Sequence, residues 1–525
     1  MFRKLNLLLL FYFLQAVYSA RILGLFTNSI LSHQLSYDPL MIALAKRGHN
    51  VTVATFFPLQ NKLTNYHEVN LQNLSNLRVE VFDIRRYEQP VGIMRVPFVS
   101  SVLDQVNQFE NMAGIVLDIC EKLLRYTPFT ALIKNEYDVV ITGHFIGNCV
   151  LKLLEVHNVT APVIGICAST ILPWTNEIMG AESNPSFVPV KVSSFTSKMT
   201  FIQRLENTIV YILMTTMQQR LIEQEKTMIE KYYSRKTKER NNFNLILLNS
   251  HHVLNGIRPL VPGLIEIGGI HVDSTVNTLP KHIEKFINES VNGVIVFSLG
   301  AQTKSTSLSK KKQNILINVF SKLKQRIIWK YAESAEEGTI IGNNILRVKW
   351  IPQKDVLRHD KVNAFICHGG NLGMIESIFA GKPMVVIPIF ADQRLNAVAA
   401  KEAGVAEVLS LPDFDEEDLE KAIENVLSQG MQEKAKEVSQ IWHDRENTPL
   451  HTAVYWTERV IRWGHKSPLH SPSRDMPLYQ YLLLDVLVFI VLFVSTIIFC
   501  LVFMSNWIIL KMKRLINSNI KTKFQ

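Results

Sequence analysis

The stretch "FICHGGNLGMIESIFAGKPMVVIPIFADQ", Phe365 to Gln393, contains a whole folding unit. "NAFICHGG" reads as a buried apolar strand that ends at His368, followed by a turn. Gly369 and Gly370 let the backbone turn tightly. "LGMIESIFAG" has helical spacing and stops at Gly381, and "PMVVIP" is a strand again. The loop after it presents Asp392 and Gln393 at that strand's carboxyl end. Strand, helix and strand in this order imply a parallel sheet. The same alternation extends outward on the amino side. "GVIVFSLG", "RIIWKY" and "NILRVKWIPQ" are strand-like, with "SKKKQNILINVFSKL" a helix among them. Further back lie the strands "RILGLFT", "NVTVATF", "YDVVITG", "APVIGICA" and "FNLILLNS". Helical segments "YDPLMIALAKRGH" and "FIGNCVLKLLEVHN" and a long charged stretch over 197–240 separate them. The Pro- and Gly-rich "PLVPGLIEIGGIHV" (259–272) divides the two series. An α/β fold of two Rossmann-like domains facing a cleft follows, with ligands at the carboxyl ends of the strands.

The polar residues of this unit suit a nucleotide sugar. Free N–H groups and the dipole of the helix behind Gly370 favour a phosphate, and His368 adds a donor for a pyrophosphate oxygen. Glu376, eight residues after His368, is suited to accept bonds from ribose hydroxyls. Asp392 and Gln393 suit sugar hydroxyls. Upstream, Trp350 offers a flat face and Gln353 an amide, the pair a uracil ring needs.

The joint order and spacing resemble the signature of the UDP-dependent glycosyltransferases. That signature has an apolar pair, His, Gly-Gly, a Glu eight residues after the His, six residues to a Pro, then Pro and Asp-Gln. Cys367 departs from it, since the pattern prefers Thr or Ser there. "NSHHVLNGIRPLVPGLIEIGGIHV", "VIVFSLGAQ", "RVKWIPQKDVLRH", "LHTAVYWTERVIR" and "YQYLLLDV" look like the membrane-bound animal, insect-type members. The resemblance implies the GT-B fold and an inverting, metal-independent transfer with no resident cofactor, the UDP-sugar being a co-substrate. It implies a carboxyl half that binds the donor and an amino half that binds the acceptor. It places uracil on Trp350 and Gln353, phosphates on Ser298, Gly300, His368 and Gly370, ribose on Glu376, and the donor sugar on Asp392 and Gln393. Ala301 and Gly373 stand where relatives often carry serine, which implies weaker donor binding.

The first strand runs into "FTNSILSHQLSYDPL", and the "SH" at Ser32-His33 matches the family segment whose histidine is the general base. His33 is expected in the loop between strand and helix. An acceptor hydroxyl is a poor nucleophile, and imidazole can take its proton as the new bond forms. In the family an acid orients that histidine. Here the matching segment is "YDVVITGHFIGNC", and the position of the usual acid is Gly143. Asn148 stands at a nearby position that is often acidic in related sequences. Asp138 is at the wrong end of the strand, more than about 15 Å from the loop at roughly 3.3 Å per residue. Three accounts remain open. The Asn148 amide orients His33, another acid such as Asp38 or Glu177 approaches, or the protein is a weak or inactive UDP-sugar binder. His144, in the same segment, reads as a pocket or structural residue rather than the base.

Of the formal net charge of +10, about half comes from five cationic residues after Leu510, where there is no acid. That distribution argues for a membrane-flanking segment and against a nucleic-acid groove. The five scattered cysteines give neither metal spacing nor a dense disulfide framework. Arg3 and Lys4 before "LNLLLLFYFLQAV" and the small residues of "YSA" read as a signal peptide cleaved near Ser19 or Ala20. The apolar run from Val486 is long enough to span a bilayer, with Lys511, Lys513 and Arg514 directly after it. The positive residues place the tail in the cytosol and the body in the lumen. "KTKFQ" looks like a dilysine signal for the endoplasmic-reticulum membrane. Sequons at Asn50, Asn73, Asn158 and Asn288 fit a lumenal glycoprotein.

The expected organisation is a signal peptide at 1-20, an acceptor-binding domain at 21-275 and a UDP-sugar-binding domain at 276-445. A helical segment and linker follow at 446-480, then a transmembrane helix at 481-510 and a basic tail at 511-525. The expected activity is transfer of a hexose, glucose before glucuronate, to a hydroxyl of a small lipophilic acceptor in a detoxifying role. Regions 92–125 and 172–230 are expected to build the acceptor pocket, and homo-oligomerisation is left open.

Overall fold

The computed structural model describes residues 19–523, apart from 61–62, 76–81, 89–96, 238–242, 274, 276 and 332–337. The expected signal peptide up to residue 18 and part of the apolar region from residue 92 lie outside the described residues. The strands in chain order are β1 (Arg21–Phe26), β2 (Asn50–Thr55), β3 (Tyr66–Asn70), β4 (Phe82–Asp83), β5 (Val139–Gly143), β6 (Val163–Cys167), β7 (Leu245–Leu248) and β8 (Leu264–Glu266). The second series is β9 (Val294–Ser298), β10 (Thr303–Lys304), β11 (Arg326–Lys330), β12 (Thr339–Ile341), β13 (Ile345–Val348), β14 (Val362–Cys367), β15 (Met384–Val386) and β16 (Ala406–Val408).

They build two seven-stranded sheets, ordered β3-β2-β1-β5-β6-β7-β8 and β12-β13-β11-β9-β14-β15-β16. All neighbours are parallel except β12 with β13. Continuous apolar runs such as "VIVFS" and "LILL" form these strands because helices cover both faces of a parallel sheet. The strand order reverses between β1 and β5 in one sheet and between β9 and β14 in the other. Crevices open at the carboxyl ends of such switch points. The last residues of these four strands and the loops directly after them include Asn28, Gly143, Ser298 and His368.

Eight helices matter for the site and its setting. They are α1 (Leu31–Lys46), α2 (Pro97–Arg125), α3 (Cys149–Val156), α4 (Phe201–Tyr233), α5 (Asn371–Phe379), α6 (Gln393–Glu402), α7 (Pro449–Trp463) and α8 (Leu484–Lys523). His33 lies in the first turn of α1, not in the loop before it. The His33 N–H already donates to the Ile30 carbonyl at 3.0 Å, so the helix begins earlier than Asp38 and Pro39 suggest. Helix α7 returns to the first sheet: Ala453, Val454 and Val460 are buried in one core with Ile22, Leu40, Leu44 and Val51. The two halves also share a short parallel pair, β4 with β10, in which Phe82 faces Thr303. A disulfide between Cys120 on α2 and Cys149 on α3 ties these two helices of the amino half together, a pairing that spacing alone did not reveal.

The segment Ser471–Gln525 is a separate compact unit. Its main element is α8, whose apolar side chains from Leu484 to Ile516 are exposed. Leu484–Asn517 is long and apolar enough to cross a membrane.

Candidate active site

One cleft with a cavity volume of about 1270 Å³ receives residues from both halves. On the carboxyl side, α5 starts directly behind the turn after β14. Gly370 is its N-cap and no side chain fills the cap, so the first N–H groups of a nine-residue helix face the cleft. The His368 ring is wedged between two glycines. A Cβ on Gly300 or on Gly370 would lie 2.6 Å from the ring, and Gly300 also needs its left-handed backbone at φ 87°. The Ser298 hydroxyl accepts from the Gly300 N–H at 3.3 Å. Burial holds the His368 imidazole well below its usual value, to about 4, against the opposing pull of the Asp392 carboxylate. A neutral ring donates to a phosphate oxygen through one nitrogen only. Lys330, at the end of β11, supplies the missing cation: it is buried, lines the cleft, and its Nζ reaches the Gly300 carbonyl at 3.2 Å. A lysine closing the apolar strand "RIIWK" is the signal that the sequence reading passed over.

The end of the cleft around Gln353 and Glu376 is equally ordered. Gln353 donates to Glu376 Oε2 at 2.5 Å. His271 adds a ring nitrogen 3.7 Å from Glu376 Oε1 and 3.3 Å from the Leu372 carbonyl. Burial raises the Glu376 carboxyl to about 7, which the Gln353 amide opposes. Trp350 is 51% exposed and lines the cleft, so its face is open for stacking. Gly373 leaves room for Gln353, whose Nε2 lies 3.0 Å from where a Cβ would sit; a serine there would crowd the amide. Gln393 is used mainly by the protein: its Oε1 accepts from the N–H groups of Ile389 (2.8 Å) and Phe390 (3.0 Å). This holds the loop that carries Asp392. The same loop is tied to α2 by the Ala391 N–H to Gln108 Oε1 (2.9 Å) and by Arg394 with Asp104 (3.1 Å).

On the amino side His33 lines the cleft, edge-on to Phe145 with ring centroids 4.8 Å apart. Burial, then the Lys191 ammonium, pushes its pKa down to about 3, so the ring is neutral at physiological pH. Neither expected partner reaches it. Asp38 is bonded to Gln34, and burial raises its pKa to about 7. Asn148 stands at the N-cap position of α3 without a side-chain cap bond, and its backbone N–H donates to Glu225 Oε2 at 2.6 Å. Glu177 is exposed and does not line the cleft. At Gly143 a Cβ would meet the Tyr37 hydroxyl at 3.1 Å, so that phenol fills space beside the absent acid. The side chain on His33 Nδ1 is instead Asn28, at 2.9 Å. His144 is buried against Thr175 at 2.7 Å and lies off the main cleft, as a structural residue would.

The acid nearest this loop is Glu225, wholly buried on α4. Desolvation lifts its pKa to about 8 despite the N–H groups of Asn148 and Cys149. It lies on the helix's buried stripe with Met214, Met217, Leu221 and Ile229, a visible signal once that helix is known to face the core.

A cleft between two Rossmann-like domains, with a phosphate-ready helix terminus on one wall and a histidine on the other, defines a GT-B nucleotide-sugar glycosyltransferase. The family model "UDP-glucoronosyl and UDP-glucosyl transferase" matches residues 23–521, and the chain belongs to that family. It is 35% identical to UDP-glycosyltransferase UGT5 of Dactylopius coccus, over 93% of this chain and 91% of that one. UDP-glucosyltransferase 2 of the same insect is 32% identical over 93% of each chain. Mouse UDP-glucuronosyltransferase 2A3 is 29% identical over 89% of each. Among solved structures, the kitacinnamycin glycotransferase matches with a TM-score of 0.52 at 17% identity, covering 84% of this chain and 99% of that one. The glycosyltransferase VinC in complex with dTDP gives 0.52 at 15%, covering 85% and 100%. The protein is thus a UDP-dependent hexosyltransferase that takes a UDP-sugar donor.

Proposed function

We propose that this enzyme transfers glucose from UDP-glucose, with inversion, to a hydroxyl of a small lipophilic acceptor held against His33. The observation that carries this reading is the shared cleft, with the α5 terminus, His368 and Glu376 on one side and His33 on the other. UDP occupies the carboxyl half, with uracil on Trp350 and Gln353, ribose on Glu376, and diphosphate on Ser298, Gly300, His368 and Gly370. The sugar meets Asp392 and Gln393. His33 removes the acceptor proton as the anomeric carbon is attacked, and the helix terminus with His368 and Lys330 stabilises departing UDP. The diphosphate charge is met by these groups, so the transfer needs no metal or resident cofactor. The apolar wall from Phe109, Met112, Ile115, Trp174 and Met214 suits acceptors that partition into lipid. Glucose is favoured over glucuronate because Arg394, the cation beside Asp392, is already paired with Asp104.

The body lies in the lumen of the endoplasmic reticulum, anchored by α8, with the basic tail cytosolic. The cations after Leu510 support this orientation, as does a disulfide suited to an oxidising compartment. Asn50, Asn73, Asn158 and Asn288 are all exposed, as glycan acceptors must be. The absence of a carboxylate on His33 Nδ1 favours one second reading, a slow enzyme or a non-catalytic UDP-sugar binder. Incubating the full chain in detergent with labelled UDP-glucose, labelled UDP-glucuronate and a panel of phenols separates these. Glucosylated product is expected; saturable UDP binding with no transfer to any acceptor would leave only the binder.

A further inference from the structure

Asn28 carries an inference about which acceptors the enzyme prefers, and it rests on the glycosyltransferase reading above. The Asn28 amide has one fixed orientation. A backbone N–H can only donate, and the Ile30 N–H lies 3.0 Å from Asn28 Oδ1. That leaves the Asn28 NH2 group, itself only a donor, facing His33 Nδ1 at 2.9 Å. Nδ1 must therefore accept, and in a neutral imidazole the single proton then sits on Nε2. A histidine held by an acid has the opposite arrangement, with Nδ1–H toward the acid and a free lone pair on Nε2. His33, as the base that removes the proton of an un-ionised acceptor at Nε2, must first pass to the other tautomer, so this route is slowed rather than abolished. That tautomer would set two donors face to face, or flip the amide and strip the Ile30 N–H of its acceptor.

We propose that Asn28 is a positioning residue that locks His33 in its Nε2–H tautomer, so that the enzyme selects acceptors whose nucleophilic oxygen is already ionised, namely acidic phenols and carboxylic acids. For such an acceptor the oxygen lone pair forms the bond to the sugar's anomeric carbon. The bond from that carbon to the β-phosphate oxygen breaks, its electron pair leaves with UDP, and no proton needs a base. His33 Nε2–H donates to the incoming oxyanion. Lys191 adds positive charge, with Nζ 5.4 Å from the centre of the Phe145 ring that packs on His33. Around the imidazole, the titratable groups are Tyr37 and Asp38 on its own helix and Lys191 from the loop after Val190; the β5 side presents Gly143 and Phe145. Across the cleft lie His271, His368 and Asp392.

The test uses the full chain with UDP-glucose and phenols of one size but different acidity. The pair is 4-nitrophenol, about half ionised at neutral pH, and 4-methoxyphenol, which is almost wholly un-ionised there. Wild type is expected to favour 4-nitrophenol by tenfold or more in kcat/KM, with each pH profile following the acceptor's own ionisation. Asn28→Asp places a carboxylate that can accept from both the Ile30 N–H and His33 Nδ1–H. It should raise turnover of 4-methoxyphenol by about tenfold or more and shrink the preference. Asn28→Ala, which removes the amide donor, should shrink it less. UDP affinity serves as the check that each variant is folded. A wild-type profile indifferent to acceptor acidity, or a preference unchanged in both variants, overturns the tautomer lock while leaving the glucosyltransferase reading intact. No transfer to either phenol from any UDP-sugar overturns both.

Discussion

The two halves of the cleft are built differently. In the carboxyl half, His368, Gly370, Glu376, Asp392 and Gln393 fall within one short stretch; His368 and Gln393 are held by neighbours from that stretch or from the strand beside it, and Glu376 by Gln353 and His271. In the amino half the histidine of α1 is held by Asn28 upstream, walled by Phe145 after β5 and kept neutral by burial and by Lys191 from a third segment. A donor common to a whole family can be read by one local unit. Acceptors that vary are met by parts brought together only by folding. On the proposed reading the donor side is therefore stiff in sequence, and the acceptor side keeps its architecture with glycine at position 143.

Substitutions in each half sharpen that contrast. The largest effect is expected from His33→Ala, which should lower kcat by about 10²–10⁴-fold toward un-ionised acceptors and leave UDP affinity unchanged by calorimetry. Equal turnover would remove His33 from the chemistry. Gly370→Ala should do the reverse. Its Cβ would press on His368 at 2.6 Å and displace the ring, weakening UDP-sugar binding by about tenfold to a hundredfold, the value of one or two charge-assisted hydrogen bonds, with acceptor KM preserved. An acceptor-side defect in that variant would break the division of labour.

Replacing Cys120 and Cys149 together by serine should cost about 2–4 kcal/mol of stability, read as a lower denaturation midpoint, while the donor KM stays put. The smallest effect concerns Glu225. Its carboxyl is raised from the ordinary range to about 8 in the folded chain, so the unfolded chain ionises first as pH rises. Stability from this group is present below about pH 4.5 and is lost as pH climbs toward 8. Glu225→Gln should therefore gain on wild type as pH rises from 5 to 9, by about 2 °C or more in thermal midpoint. A constant difference across that range would show that Glu225 is not held protonated.

Much of the fold was legible because buried parallel strands announce themselves as apolar runs between helices. The cleft wall around His368 was legible because its residues sit at fixed offsets around one turn. Less legible was where α1 begins, since the backbone bond from His33 to Ile30 closes the first turn ahead of the apolar spacing. Nor was the return of α7 to the first core visible, because an amphipathic helix does not state which sheet it covers. Lys330 and Glu225 were passed over for a related reason. A charged residue on a buried stripe has meaning only once its surroundings are known.

Read along the chain alone, the residues already establish two doubly wound halves, an apolar span near the carboxyl terminus and the cluster of polar groups around His368 and Glu376. These rest on periodicity and short-range spacing, which the chain carries without folding. Only the tertiary structure decided the partner of His33, because a hydrogen bond depends on where donors and acceptors meet in space. Asn148 and Asp38 are plausible along the chain, yet Asp38 is bonded to Gln34, and the side chain on His33 Nδ1 is the Asn28 amide, fixed toward the ring by the Ile30 N–H.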